Sequence, residues 1–142
     1  MVNILDRQNT VLNKFIAQMR DAKVQTDSMR FRRNLERVGE IMAYEISKTL
    51  GYTRRIVETP LGEAEVAMLD DQIVIATILR AGLPFHQGFL NYFDDAQNAF
   101  VSAYRKQIAV VKQTLADIGA ADKPVFLIFN KIDAYRYTPK DE

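Results

Sequence analysis

The sequence predicts an α/β protein: N-terminal helices, a β-hairpin, and then an incomplete doubly wound parallel sheet. Three observations carry that expectation. Residues 31–50 place apolar side chains at helical spacing. Residues 72–79, QIVIATIL, are nearly all apolar and rich in β-branched side chains, the composition of a strand buried on both faces. From 72 to 129 the pattern alternates strand, helix, strand, helix, strand, which builds parallel sheets.

In chain order, residues 3–20 carry Ile4, Leu5, Val11, Leu12, Phe15, Ile16 and Met19, and read as one amphipathic helix with a ragged start. A polar stretch, 21–28, follows. The stripe Phe31, Leu35, Val38, Ile41, Met42, Ile46 and Leu50 predicts a second helix, stopped by Gly51. Its other face, with Arg32, Arg33, Glu36, Arg37, Glu40 and Lys48, reads as solvated. The hairpin is predicted from strands at 55–58 and 63–68 around a turn at 60–62. Asp70-Asp71 reads as a turn before the 72–79 strand. A short helix is expected over 83–92, a strand over 99–103, a helix over 107–118 stopped by Gly119, and a last strand over 125–129.

Composition narrows the function. The 142 residues suit one domain, with 48% apolar and 26% charged residues, the balance of a globular protein. A net charge of +1 announces neither nucleic acid nor a membrane surface as partner. Without cysteine, disulfides and thiolate metal sites are excluded, and the single histidine, His86, excludes a histidine-rich metal centre. No apolar run reaches the roughly 20 residues that span a bilayer, and no signal peptide is read, so the expected compartment is the cytoplasm.

Two motifs carry chemistry. Ile78-Leu79-Arg80-Ala81-Gly82-Leu83 lies at the carboxyl end of a predicted parallel strand, where such sheets bind ligands. Small residues at Ala81 and Gly82 let backbone N–H groups approach an anion, and the next helix adds its positive end. Arg80 offers a planar fork for phosphate oxygens. Together they describe a pyrophosphate site; the plainer alternative is an arginine after a strand and a glycine in a turn. Arg105 ends the next strand at the same edge, as a second anion ligand or a solvated arginine. The other motif is Asn130-Lys131-Ile132-Asp133 after an apolar strand, the arrangement of a guanine-reading loop. Asp133 would accept from guanine, Asn130 would brace the loop, and the Lys131 stem would stack on the base. No G-x-x-x-x-G-K-[ST] phosphate loop occurs in the chain, so NKID is read as vestigial.

From Asn3 to about Lys106 the chain resembles the uracil phosphoribosyltransferases, members of the type I phosphoribosyltransferases. The resemblance rests on Met19-Arg20-Asp21, FRRNLERVGEIMAYE (31–45), VETPLG (57–62), ILRAGL (78–83) and SAYRK (102–106), in family order. It implies a phosphoribosyltransferase-like fold and the salvage reaction in which uracil attacks phosphoribosyl pyrophosphate (PRPP) to give UMP and pyrophosphate. It also implies that Arg80, Ala81, Gly82 and Arg105 bind PRPP, that Mg²⁺ accompanies the pyrophosphate without an identified protein ligand, and that the protein forms homo-oligomers or pairs with intact subunits. No catalytic residue is assigned. His86 reads as a structural histidine at a helix start. Two departures matter. The acid followed by an Ala-Thr-Gly-Gly-Ser-like turn, which holds the ribose 5′-phosphate in that family, has no counterpart, because no Thr-Gly pair occurs. The uracil-holding segment is missing as well.

Residues 107–142 resemble instead the HflX-type GTPases, which carry a helix, an apolar strand and NKxD in this order. The sequence therefore reads as a chimera, with 1–106 from the front half of a transferase and 107–142 from a GTPase, joined near Lys106-Gln107 by a genomic rearrangement or by an artefact of gene assembly. The expectation is a transferase lineage without useful activity in this chain. The alternatives are a GTP- or GDP-binding module and a non-catalytic oligomerisation fragment.

Overall fold

The structure is a computed structural model, and it describes residues 4–101, 107–117 and 119. It contains a short 3₁₀ turn at Leu5–Arg7, helices α1 (Val11–Arg20) and α2 (Ser28–Ser47), strands β1 (Tyr52–Thr59), β2 (Gly62–Leu69) and β3 (Val74–Ile78), helix α3 (Leu83–Leu90), strand β4 (Gln97–Val101) and helix α4 (Gln107–Asp117). The α/β class, the hairpin and the parallel sheet are as expected, with four helices among the described residues. The strand expected at 125–129 lies outside the described residues.

The first helix differs from expectation. Residues 4–10 do not continue α1, because the chain turns at Leu5–Arg7 and again across Asn9, where the Thr10 amide donates to the Gln8 carbonyl at 3.0 Å, before α1 begins. Helix α2 starts three residues before its apolar stripe. Asp27 caps it, its carboxylate accepting from the amides of Met29 at 3.1 Å and Arg30 at 3.0 Å. One face of α2 takes α1 through a buried polar relay. Asn34 is wholly buried; it donates to Gln18 Oε1 at 2.9 Å and accepts from Arg37 at 3.1 Å. The Arg37 guanidinium also lies 5.1 Å from the centre of the Phe15 ring. The charged face of α2 is therefore only partly solvated: Arg32, Arg33 and Lys48 are exposed, but Glu36, Arg37 and Glu40 are half-buried. Glu36 and Glu40 both accept from Asn91, just past α3, at 3.4 and 2.7 Å.

The core lies where α2 crosses α3. Ala43, Phe89, Phe93 and Ala96 form its buried centre, with Met42, Ile46, Ile75 and Phe85 packed against it. Two glycines bring the helix backbones together: a Cβ on Gly39 would meet the Phe85 carbonyl oxygen, and one on Gly88 the Glu36 carbonyl oxygen.

Strands β1 and β2 pair antiparallel from Tyr52↔Leu69 to Thr59↔Gly62 around Pro60-Leu61, with Gly62 at φ +124°. The hairpin is longer than its weak alternation suggested. Ion pairs Arg54–Glu65 and Arg55–Asp70, both 3.1 Å, brace it. It makes a sheet of its own and leaves Ile56 71% and Leu61 fully exposed. Strands β3 and β4 pair parallel, from Val74↔Gln97 to Ile78↔Val101, with α3 as their crossover. Helix α4 contacts both strands, buries Leu115 and stops before Gly119 at φ +74°. No described helix is long and apolar enough to cross a membrane.

Candidate functional site

Strand β3 runs into a turn, Leu79 to Gly82, and α3 starts at once. The apolar run of β3 ends where Arg80-Ala81-Gly82 offers no side chain to bury, so the backbone turns out of the sheet. Strand β3 is shorter than the expected 72–79, because Leu79 already belongs to the turn. The Leu79–Arg80 peptide is cis. The Leu83 amide donates to the Arg80 carbonyl at 3.3 Å, and the His86 amide to the Gly82 carbonyl at 2.8 Å.

Gly82 is the residue before the helix, and no side chain caps it there. Pro84 sits in the first turn of α3, where its missing N–H leaves nothing unsatisfied. Among the described residues, no backbone carbonyl accepts from the amides of Ala81 or Gly82. These two N–H groups, without a backbone acceptor among the described residues, lie just before the positive end of α3. Gly82 is needed for space as well. A Cβ there would come within 2.8 Å of Thr77 Cγ2 and 3.0 Å of the Ile78 carbonyl.

Arg80 projects from the turn, is exposed and makes no ion pair among the described residues. The structure thus brings Arg80, Ala81 and Gly82 into one turn. The Ile78↔Val101 pairing sets the carboxyl ends of β3 and β4 side by side. Arg105 follows β4 but lies outside the described residues, as do Asn130, Lys131 and Asp133. No group of three or more acidic or histidine side chains that could hold a metal occurs among the described residues. The turn offers hydrogen-bond donors rather than metal ligands.

Sequence reasoning missed one functional neighbour of the turn. Thr77, the only polar residue of β3, sits 2.6 Å through Oγ1 from His86 Nδ1, and both side chains are buried. The His86 ring also lies 5.1 Å from that of Phe100. Burial pushes His86 below its ordinary pKa of 6.5. The Asn98 carboxamide opposes this shift, and Nε2 is buried without a hydrogen-bond partner among the described residues.

This fixes the sign of one pH effect. The folded state holds His86 neutral, whereas the unfolded chain takes up a proton near pH 6.5. His86 therefore costs no stability above that pH, and stability falls as pH drops from 6.5 toward the lower folded value. With one histidine in the chain, its ring resonances are assigned on sight. An NMR titration is expected to give a midpoint below 6.5 in the folded protein and near it in urea.

Residues 6–122 match the family described as uracil phosphoribosyltransferase. A uracil phosphoribosyltransferase of Porphyromonas gingivalis is 63% identical over 102 residues, which cover 72% of this chain and 47% of that protein. One from Pyrococcus furiosus is 40% identical over 94 residues, covering 65% of this chain and 40% of that protein. The AQ2163 protein from Aquifex aeolicus superposes with a TM-score of 0.62 at 24% identity, over 75% of this chain and 50% of that one, which supports the fold alone. The chain spans about half the length of the curated relatives it matches. On its sequence match and its α/β fold, the chain belongs to the uracil phosphoribosyltransferase family.

Proposed function

We propose that the turn Leu79–Gly82 is the pyrophosphate-binding element of a uracil phosphoribosyltransferase lineage, and that these 142 residues alone do not turn over uracil and PRPP. The observation that carries the first part is the exposed Arg80 beside the open amides of Ala81 and Gly82, at the positive end of α3. In phosphoribosyl transfer the departing pyrophosphate gains negative charge as its bond to the ribose carbon breaks. Donors already fixed in place favour that state over the ground state. Arg105, four residues past the end of β4 in the sequence, would supply a second cation.

The second part rests on what the 142 residues lack. With no Thr-Gly pair, nothing in these residues corresponds to the turn that grips the ribose 5′-phosphate, and no uracil-holding segment is read among them. Positioning of two reactants can be worth about 7–11 kcal/mol of barrier, so a chain that holds only the pyrophosphate end forgoes most of the acceleration. Cytoplasmic pyrimidine salvage is the process this lineage would serve. The sequence change near Lys106-Gln107 supports a composite origin, with 107–142 GTPase-like; the family match runs on to residue 122, so α4 fits either source. Guanine contacts from Asn130, Lys131 and Asp133 without a phosphate loop would add little affinity.

The test is a radiolabelled-uracil assay with PRPP and Mg²⁺, run beside calorimetry with PRPP. Weak PRPP binding with no UMP above the protein-free background is expected. UMP formation at family-like rates would overturn the claim of inactivity, and absence of PRPP binding would overturn the site.

A second reading, a non-catalytic subunit contact, is favoured by the hairpin. Its exposed Ile56, Leu61, Val66 and Met68 leave apolar surface open to a homo-oligomer or to pairing with an intact transferase subunit.

A further inference from the structure

The Thr77–His86 pair is placed around the anion-binding turn rather than beside it. Thr77 is the last residue but one of β3, and His86 lies in the first turn of α3, so the two flank Ile78 to Phe85. Their side chains close the loop at 2.6 Å. Thr77 also presses its methyl group against Gly82, while the His86 amide holds the Gly82 carbonyl. The turn has little other anchorage: Ile78, Leu79, Arg80 and Ala81 are all exposed. The same face of the sheet carries Phe100, paired with Thr77 across β3 and β4 and stacked at a tilt on the His86 ring.

A polar pair here is a poor way to build a core. Replacing both members of a buried hydrogen bond with apolar groups of similar shape is often neutral or stabilising. His86 additionally keeps Nε2 buried and, among the described residues, unpartnered. What the hydrogen bond supplies that an apolar contact does not is direction, because it fixes where the helix start sits relative to the strand end.

We propose that His86 and Thr77 are positioning residues for the pyrophosphate turn, holding the Ala81 and Gly82 amides and the Arg80 backbone in the arrangement that an oxyanion meets. This rests on the assignment of that turn to pyrophosphate. Neither side chain touches the ligand.

The test uses the full 142-residue chain and inorganic pyrophosphate, followed by NMR at the Gly82 amide. The double variant Thr77→Val/His86→Phe removes the hydrogen bond while keeping the volume apolar. It is expected to melt within a few degrees of wild type yet bind pyrophosphate about fivefold more weakly, the scale of one buried hydrogen bond. Thr77→Ser keeps the hydroxyl and is expected to bind within about twofold of wild type. Wild-type affinity in the double variant overturns the proposal, and so does a loss in Thr77→Ser equal to that of the double variant. If wild type itself shows no pyrophosphate shift, the site assignment has failed, and the positioning role is read without ligand. Hydrogen exchange at the Leu83 and His86 amides is then expected to be about fivefold faster in the double variant, and unchanged exchange overturns the proposal.

Discussion

Arg80→Ala is expected to remove measurable PRPP and pyrophosphate binding while leaving the melting temperature unchanged. Arg80 is exposed and makes no ion pair among the described residues, so its loss strands no buried partner. Exposed substitutions of that kind change stability by about 0.5 kcal/mol or less. Its guanidinium is the only side chain of the turn that can donate to a phosphate, since Leu79, Ala81 and Gly82 offer backbone alone. Charge-assisted hydrogen bonds are worth about 1.5–3 kcal/mol each, so removal costs roughly ten- to a hundredfold in affinity. A site that holds only one end of PRPP starts weak, and that loss carries it out of calorimetric range. Arg80→Lys keeps the charge without the planar fork and is expected to fall between the two. Equal binding in wild type and Arg80→Ala would mean that the turn does not carry the anion.

Much of this site was legible in the sequence because it is local. The ILRAGL segment states its strand end, its small residues and its cation in six consecutive positions, and the structure places them in one turn before α3. What escaped is what depends on packing between distant segments. Asp27 caps α2, yet it stands four residues before Phe31, the first member of the apolar stripe, so periodicity alone starts the helix late. The hairpin ran longer than predicted because ion pairs rather than a buried face define it, and alternation is weak where little is buried. Glu36, Arg37 and Glu40 looked solvated because nothing in the α2 sequence shows that Asn91 and Phe15 reach across to them. The Thr77–His86 pair left one faint signal: a lone threonine in an apolar strand and a lone histidine in an apolar helix. Only the crossover geometry of β3 and α3 brings the two together.

Two glycines inside helices were the other unread signal, and they set the largest expected effect on stability. By helix propensity alone, Gly88→Ala should stabilise α3 by about 1 kcal/mol. The crossing with α2 reverses that sign. A Cβ at Gly88 would drive into the Glu36 carbonyl oxygen and come within 2.8 Å of the Glu40 nitrogen and 2.9 Å of Gly39 Cα. All three are backbone atoms of one helix, so no rotamer change relieves the contact, and α2 and α3 must move apart. The centre they share, Ala43 and Phe89 with Phe85 beside it, would open with them. Overpacking typically costs about 1–3 kcal/mol and more where nothing can shift. That is a large share of the roughly 5–15 kcal/mol a domain has in total. The expected result is a melting temperature lowered by about 10 °C or more, followed by circular dichroism. Gly39→Ala faces the Phe85 carbonyl and Gly88 Cα across the same crossing and is expected to lower it too. Since α3 begins at the turn proposed to bind pyrophosphate, Gly88→Ala should weaken that binding as well, but only in step with unfolding, whereas Arg80→Ala is expected to weaken it in a folded chain. A rise in melting temperature for Gly88→Ala would mean that the helices cross more loosely than the structure has them, and that α3 is not the rigid support the turn requires.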